Sequence, residues 1–201
     1  SVWNGGRIST DGVCSEVYVK GVLKTFNDRG IPLRFTFTNP LITEELLEDE
    51  FCNMVMRLAD NGLNEVIVNS PLLEEYIRTK YPSYKITSST CKRITDAERL
   101  TQELGRDYHI VVLDYDLNHE FGLLEKLPRK EHIELLVNAC CDPNCKIRTE
   151  HYRLIGQQQI LYNEHIKAHP GKVFNINDYM DPMESPAARC KCPDRNVFEV
   201  K

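Results

Sequence analysis

Apolar and polar positions along this chain alternate between two periods. Residues 14–29 place Val17, Val19, Val22, Leu23 and Phe26 at helical spacing, and Arg29-Gly30 supplies the stop. Leu33-Arg34-Phe35-Thr36-Phe37-Thr38 then reads as a strand of β-branched and aromatic residues ended by Asn39-Pro40. Thr43 reads as the N-cap of a helix with acids in its first turn and an apolar stripe of Leu46, Leu47, Phe51, Met54, Val55, Leu58 and Ala59. The same alternation continues with strands at Glu65–Asn69, Tyr84–Ser88, His109–Leu113 and Ile133–Val137. Helices are expected from Ser70-Pro71 to Lys80, from Asp96 to Gly105, near Glu120–Leu127, and from about Thr149 to Ala168.

Successive strands begin roughly 20–30 residues apart, the length of one βα unit. Short, continuously apolar strands fit a parallel sheet covered by helices. The fold class is therefore α/β, either a doubly wound open sheet or a (β/α) barrel of the triosephosphate-isomerase type. No Gly-rich dinucleotide fingerprint follows an early strand, which favours the barrel. Five strands are clear, and residues 1–8 and 172–177 offer two more. A full barrel needs eight, so an incomplete barrel is expected over residues 1–176. Residues 177–201, rich in Asp, Pro, Met, Arg and Cys, read as an extension packing on the barrel's C-terminal face.

The 201 residues are 41% hydrophobic and 27% charged, enough for one buried core and not a disordered composition. A net charge of −5 gives no global footprint for nucleic acid, although it leaves room for a local basic patch. No apolar stretch is long enough to span a bilayer and the start has no signal-peptide pattern, which points to a cytoplasmic protein. The chain opens at Ser1 without a Met, which implies further residues upstream.

Ligands of parallel α/β folds bind beyond the carboxyl ends of the strands. Asn39, Asn69 and Asn138 each follow directly on a strand, where an amide either caps the next helix or binds a polar ligand. Asp114 and Asp116 alternate at another strand end. One is a candidate general base or cation holder, and the other caps the following helix, or both belong to a solvated turn. Catalytic candidates are thus Asp114, Asn138 and Asn69. Lys92 and Arg93 sit at the same rim, as an anion site or as an ordinary exposed basic pair.

Five of the eight cysteines cluster late: Cys140, Cys141 and Cys145 after the last strand, and Cys190 and Cys192 some 45 residues on. Four thiolates from two loops hold a 4Fe–4S cluster or a structural zinc, with one of Cys140 and Cys141 spare. The plainer reading is reduced thiols or a disulfide. His132, His151 and His165 are alternative ligands.

These segments resemble the collagenase-like peptidase family (U-type), which also contains iron–sulfur proteins of oxygen-independent hydroxylation and tRNA modification. The resemblance spans about residues 33–155. Asn64-Glu65-Val66-Ile67-Val68-Asn69 matches a family strand ending in a polar residue, and Lys85-Ile86-Thr87-Ser88-Ser89-Thr90 is similar to its small-residue strand. Glu134-Leu135-Leu136-Val137-Asn138-Ala139-Cys140-Cys141 resembles its strand leading to a cysteine, with Asn138 where the family has His. Val111-Val112-Leu113-Asp114-Tyr115-Asp116 lacks the family's Arg-Glu. The resemblance implies a barrel with a 4Fe–4S cluster on Cys141, Cys145, Cys190 and Cys192, acting on an organic or RNA substrate with an electron-donor protein. A zinc-dependent hydrolase or peptidase, or a non-catalytic module with a structural metal, is the alternative. A homo- or hetero-oligomer is compatible with either.

Overall fold

A computed structural model describes residues 1–6, 14–139 and 141–184. Its centre is a sheet of five parallel strands: β1 (Arg34–Phe37), β2 (Glu65–Val68), β3 (Lys85–Ser88), β4 (Ile110–Val112) and β5 (Ile133–Glu134). They stand in chain order, each paired with its predecessor. A doubly wound sheet reverses its order at a switch point, and no reversal occurs here. The order is that of a barrel wall, but the five described strands do not close.

The wall is curled. Arg34 on β1 bonds Glu134 on β5 at 2.7 Å, as well as Glu65 on β2 at 3.0 Å. In a flat sheet, four strand spacings of ~4.8 Å would hold β1 and β5 about 19 Å apart. An ion pair joining the two edge strands therefore requires the sheet to bend around a concave face.

Alternation assigns the faces. Phe35, Phe37, Val66, Val68, Ile86 and Val111 point to the convex side, where the core lies. The helices are α1 (Glu16–Asn27), α2 (Glu44–Leu47), α3 (Glu50–Ala59), α4 (Pro71–Lys80), α5 (Ala97–Gly105) and α6 (Phe121–Leu124), with the long α7 (Arg148–Ala168) following β5. Leu23, Met56, Leu73, Ile77, Leu100 and Leu104 bring the apolar stripes of α1, α3, α4 and α5 into that core. The concave side carries Arg34, Thr36, Glu65, Ile67, Lys85, Thr87, Val112 and Glu134, a mostly polar lining.

Local chemistry explains most boundaries. Ser15, Asp49, Ser70 and Asp96 each accept a bond from a backbone N–H in the first turn of the helix they cap. The helix expected from Thr43 to Ala59 is split, because Asp49 caps a fresh start at Glu50. Thr43 occupies the expected N-cap position, but its hydroxyl donates to Glu45 instead of capping. The strand expected over Ile133–Val137 stops at Glu134, and Val137-Asn138 forms a turn.

Neither additional strand forms among the described residues. Residues 1–6 run as an irregular segment whose Trp3 carbonyl accepts the Asn39 N–H. Trp3 is fully buried, packs edge-on against Phe37 and Tyr76, and donates its indole N–H to the Leu46 carbonyl. A Cβ at Gly5 would lie 2.7 Å from the backbone of Thr38 and Asn39, so only glycine allows this close approach. Residues 176–178 form a single 3₁₀ turn, and of the expected extension only residues up to 184 are described. No helix among the described residues is long and apolar enough to cross a membrane.

Candidate functional site

Helix α7 spans about 31 Å at 1.5 Å per residue and crosses the carboxyl ends of the strands. Three sets of contacts fix its path. Arg148 at its start meets Asp114 and Asp116, beyond β4. Gly156 at its middle meets Asn39, beyond β1. Asn163 and Lys167 near its end meet Asp49, the cap of α3.

The first of these contacts is a buried quartet of charges. Beyond β4 the chain leaves the strand and turns through a 3₁₀ element at Tyr115–Leu117, with Asp114 capping it by accepting the Asp116 N–H. The turn lets both carboxylates face the same partners, which a continuing strand would forbid. The Arg148 guanidinium, fully buried, gives one N–H to Asp114 at 3.0 Å and others to Asp116 and the Asp142 carbonyl at 2.9 Å. It also lies 3.9 Å over the Tyr115 ring. Arg93 approaches from the loop after β3, its Nε 2.8 Å from Asp114 Oδ2 and another nitrogen 3.2 Å from Asp116 Oδ2. The first contact is a charge pair without hydrogen-bond alignment, since neither atom has a directed partner among the described residues. Both oxygens of Asp114 are thus occupied by cations.

Burial alone would raise the Asp116 carboxyl. The Arg148 hydrogen bond, the Asn144 N–H and the charges of Arg148 and Arg93 outweigh it and hold that group below the usual carboxylate range. Burial works against the Arg148 charge, and Asp116, Tyr115 and Asp114 more than compensate, so its guanidinium stays charged.

The quartet also pins the cysteine loop. Asp142 and Cys145 offer backbone carbonyls to Arg148 and Arg93, and the Asn144 N–H donates to Asp116 at 2.8 Å. Asn144 adopts a left-handed backbone (φ 55°), which asparagine tolerates better than most residues. Cys141 is buried against Tyr115 and Ala139, and Cys145 is half-buried. Tyr115 and Tyr152 place their hydroxyls 3.5 Å apart beneath α7. Burial, with Tyr152 and Cys141 nearby, pushes the Tyr115 hydroxyl far up, so it stays protonated. Cys140, Cys190 and Cys192 lie outside the described residues. Among the described residues no three His, Cys, Asp or Glu side chains are arranged to hold a metal.

The three strand-end asparagines occupy three environments. Asn39 is fully buried: its amide donates to the Val2 and Gly156 carbonyls, while its oxygen accepts the Leu41 N–H. It therefore locks the N-terminal segment and α7 onto β1. Asn69, half-buried, reaches the Thr38 carbonyl at 3.4 Å, and Ser70 rather than Asn69 caps α4. Asn138 is exposed in the turn after β5. Three threonine hydroxyls, on Thr38, Thr87 and Thr90, are buried without a hydrogen-bond partner among the described residues.

Two expectations are corrected. Lys92 is not an exposed rim cation. Its ammonium turns back between α4 and α5, 2.7 Å from both Glu103 and the Tyr108 hydroxyl and 3.5 Å from Glu74. Those two carboxylates are buried and need a cation. His165 lies 17 residues along α7 from Arg148, about 26 Å away, with its nitrogens on the Tyr179 hydroxyl and the Lys172 carbonyl. His132 lies at the opposite, amino end of the sheet, and only His151, in the first turn of α7, neighbours the cysteine loop in the chain.

Arg148 is the residue that sequence reasoning overlooked. A signal was present, because a cation in the first turn of a helix opposes the dipole and calls for a carboxylate partner.

No family model matches this sequence, and no curated protein is similar enough to match. Among solved structures, the U32 peptidase Mk0906 superposes with a TM-score of 0.58, over 100% of this chain and 77% of that one, at 16% identity. At that identity the similarity concerns the fold, so the resemblance to collagenase-like peptidases stands as a likeness of architecture.

Proposed function

We propose that this chain is a barrel-wall enzyme domain whose carboxyl-end face carries a cysteine-held metal centre, a 4Fe–4S cluster, and that it modifies a small organic or RNA substrate. The observation that carries the reading is the seating of the Cys141–Cys145 loop. One buried and one partly buried arginine, with two carboxylates, fix its backbone at the end of β4, where ligands of parallel α/β folds bind. A surface loop with incidental thiols needs no such anchor.

The described donors fit the group in kind. Two thiols sit on one pinned loop, one of them shielded from solvent, and soft thiolates suit iron–sulfur clusters and zinc. Cys190 and Cys192 would complete the set, with Cys140 as the alternative to Cys141. A bound cluster would supply one-electron chemistry. The chain's own residues do the rest. Asp114 and Asp116 hold Arg148 and Arg93, which set the loop. In this reading Asp114 is a positioning residue, since both its oxygens are engaged. Asn69 and Asn138 keep amide groups available to a polar substrate.

A second reading has its own support. α7 crosses the carboxyl ends and is tied down at Asp114, Asn39 and Asp49, which suits a non-catalytic module closed by a structural metal. Metal and acid-labile sulfide analysis separates the two. Iron and sulfide, lost in Cys141→Ala and Cys145→Ala, support the first reading. One zinc per chain supports the second or a zinc hydrolase.

A further inference from the structure

Two tyrosines between the charge quartet and the cysteine loop are used neither by the anchor nor by the ligand set. Tyr115 and Tyr152 are both buried, and so is Cys141, which forms one small cluster with Tyr115 and Ala139. Tyr152 comes from the second turn of α7. Two neighbours fix the Tyr115 ring. It belongs to the 3₁₀ turn that Asp114 caps, and the Arg148 guanidinium lies 3.9 Å over its face. Arg148 is itself held by Asp114 and Asp116. The ring is thus set by the same charges that anchor the loop.

At its hydroxyl end Tyr115 hydrogen-bonds the Cys141 side chain and meets the Tyr152 hydroxyl at 3.5 Å. A phenol has one proton to give, and a thiolate can only accept. With Cys141 as a thiolate ligand the direction of the chain is therefore fixed. Tyr115 donates to Cys141 Sγ, and Tyr152 donates to Tyr115. Donors in series polarise one another and strengthen the last bond. The cation over the Tyr115 ring draws on its π electrons, which makes the hydroxyl a better donor still.

We propose that Tyr115 tunes the cysteine-held centre: its hydroxyl donates a hydrogen bond to the Cys141 sulfur and raises the reduction potential of the bound cluster. The inference rests on the reading of Cys141 as a cluster ligand. Hydrogen bonds to the sulfurs are among the determinants of cluster potential. One electron enters on reduction, from a one-electron donor, and no proton moves, because Tyr115 keeps its proton in both states. The added charge spreads over the ligand sulfurs, so a fixed donor on one of them stabilises the reduced state more than the oxidised one. Tyr115 acts through Cys141 and is a positioning residue.

The test is a dithionite titration with redox dyes on protein purified without oxygen, read by absorbance. Tyr115→Phe keeps the ring under Arg148 and removes only the hydroxyl. It is expected to hold the same iron and sulfide as wild type and to shift the reduction equilibrium about tenfold toward the oxidised form, ~59 mV lower for a one-electron couple. Tyr179→Phe, whose hydroxyl meets His165 near the far end of α7, is expected to leave the potential unchanged. 3-Fluorotyrosine at position 115, a stronger donor of nearly the same shape, is expected to raise the potential, an effect that a merely structural role would not produce. Full iron content in Tyr115→Phe with a shift below twofold overturns the inference and leaves the cluster reading standing. If Tyr115→Phe loses its iron, the fluorotyrosine protein decides, and an unmoved or lowered potential there overturns the inference. Wild-type protein without iron, whether it carries zinc or no metal, overturns the inference and the cluster reading together.

Discussion

Replacing Arg148 by Met removes the guanidinium and keeps most of the apolar stem. In the native chain this side chain is fully buried and makes directed contacts to Asp114, Asp116 and the Asp142 carbonyl at 2.9–3.0 Å. After the change Asp114 and Asp116 face Arg93 alone, and Arg93 is only partly buried. Breaking a buried pair from one side typically costs ~3–5 kcal/mol, because the remaining charge stays desolvated. Two carboxylates are left, but Arg93 and the two N–H donors from Asp116 and Asn144 retain part of their stabilisation. The lower half of that range, ~3 kcal/mol, is therefore expected. For a domain of this size ~1 kcal/mol moves the melting temperature by about 2–4 °C, so the variant should melt roughly 6–12 °C lower. Arg148→Lys should recover less than half of this, since an ammonium cannot span both carboxylates. The Cys141 thiol should also react faster with a thiol reagent, read by peptide mapping. Urea unfolding that shows a loss below ~1 kcal/mol, the value of an exposed ion pair, would refute the quartet as an anchor.

Further outcomes follow from the same structure. A Cβ on Gly156 would collide with the Asn39 side chain, itself held by Val2 and Leu41. Gly156→Ala should therefore destabilise by about 1–3 kcal/mol, against the ~1 kcal/mol gain that helix propensity alone predicts, and calorimetry gives the sign. Lys92→Met leaves Glu74 and Glu103 buried with Arg106 and Arg78 as their cations, and should cost ~3 kcal/mol in urea unfolding. Asp116 is held below its unfolded value of ~3.9. Its contribution is complete above that pH and is lost as pH falls through the folded value. Wild-type stability should thus drop below about pH 4, and Asp116→Asn should flatten that limb. A curve of unchanged steepness would contradict the assignment.

Local signals carried most of the fold. Ser70-Pro71 and Asp96 start helices where capping chemistry says they should, and the βα spacing leads to a parallel sheet in chain order. Long-range pairings decided the rest. Leu135 and Val137 read as strand but are exposed, because the chain turns at Val137-Asn138 before further pairing. The break at Asp49 depends on a cap that competes with an uninterrupted apolar stripe. At the candidate site, Asp114, Asp116 and the cysteine loop were legible as residue types at a strand end. Their joining through Arg148 was not, because that contact spans 34 residues and depends on where α7 lies. The curl of the sheet, which the Arg34–Glu134 pair reveals, is likewise encoded by no local pattern.

The most direct test of the proposed function is iron, zinc and acid-labile sulfide content, with an absorption spectrum, on protein purified without oxygen. A cysteine-held cluster predicts a brown protein with a broad band near ~400 nm and about four irons per chain, bleached in Cys141→Ala and in Cys145→Ala. Protein carrying neither iron nor zinc, with those two variants indistinguishable from wild type, would contradict it.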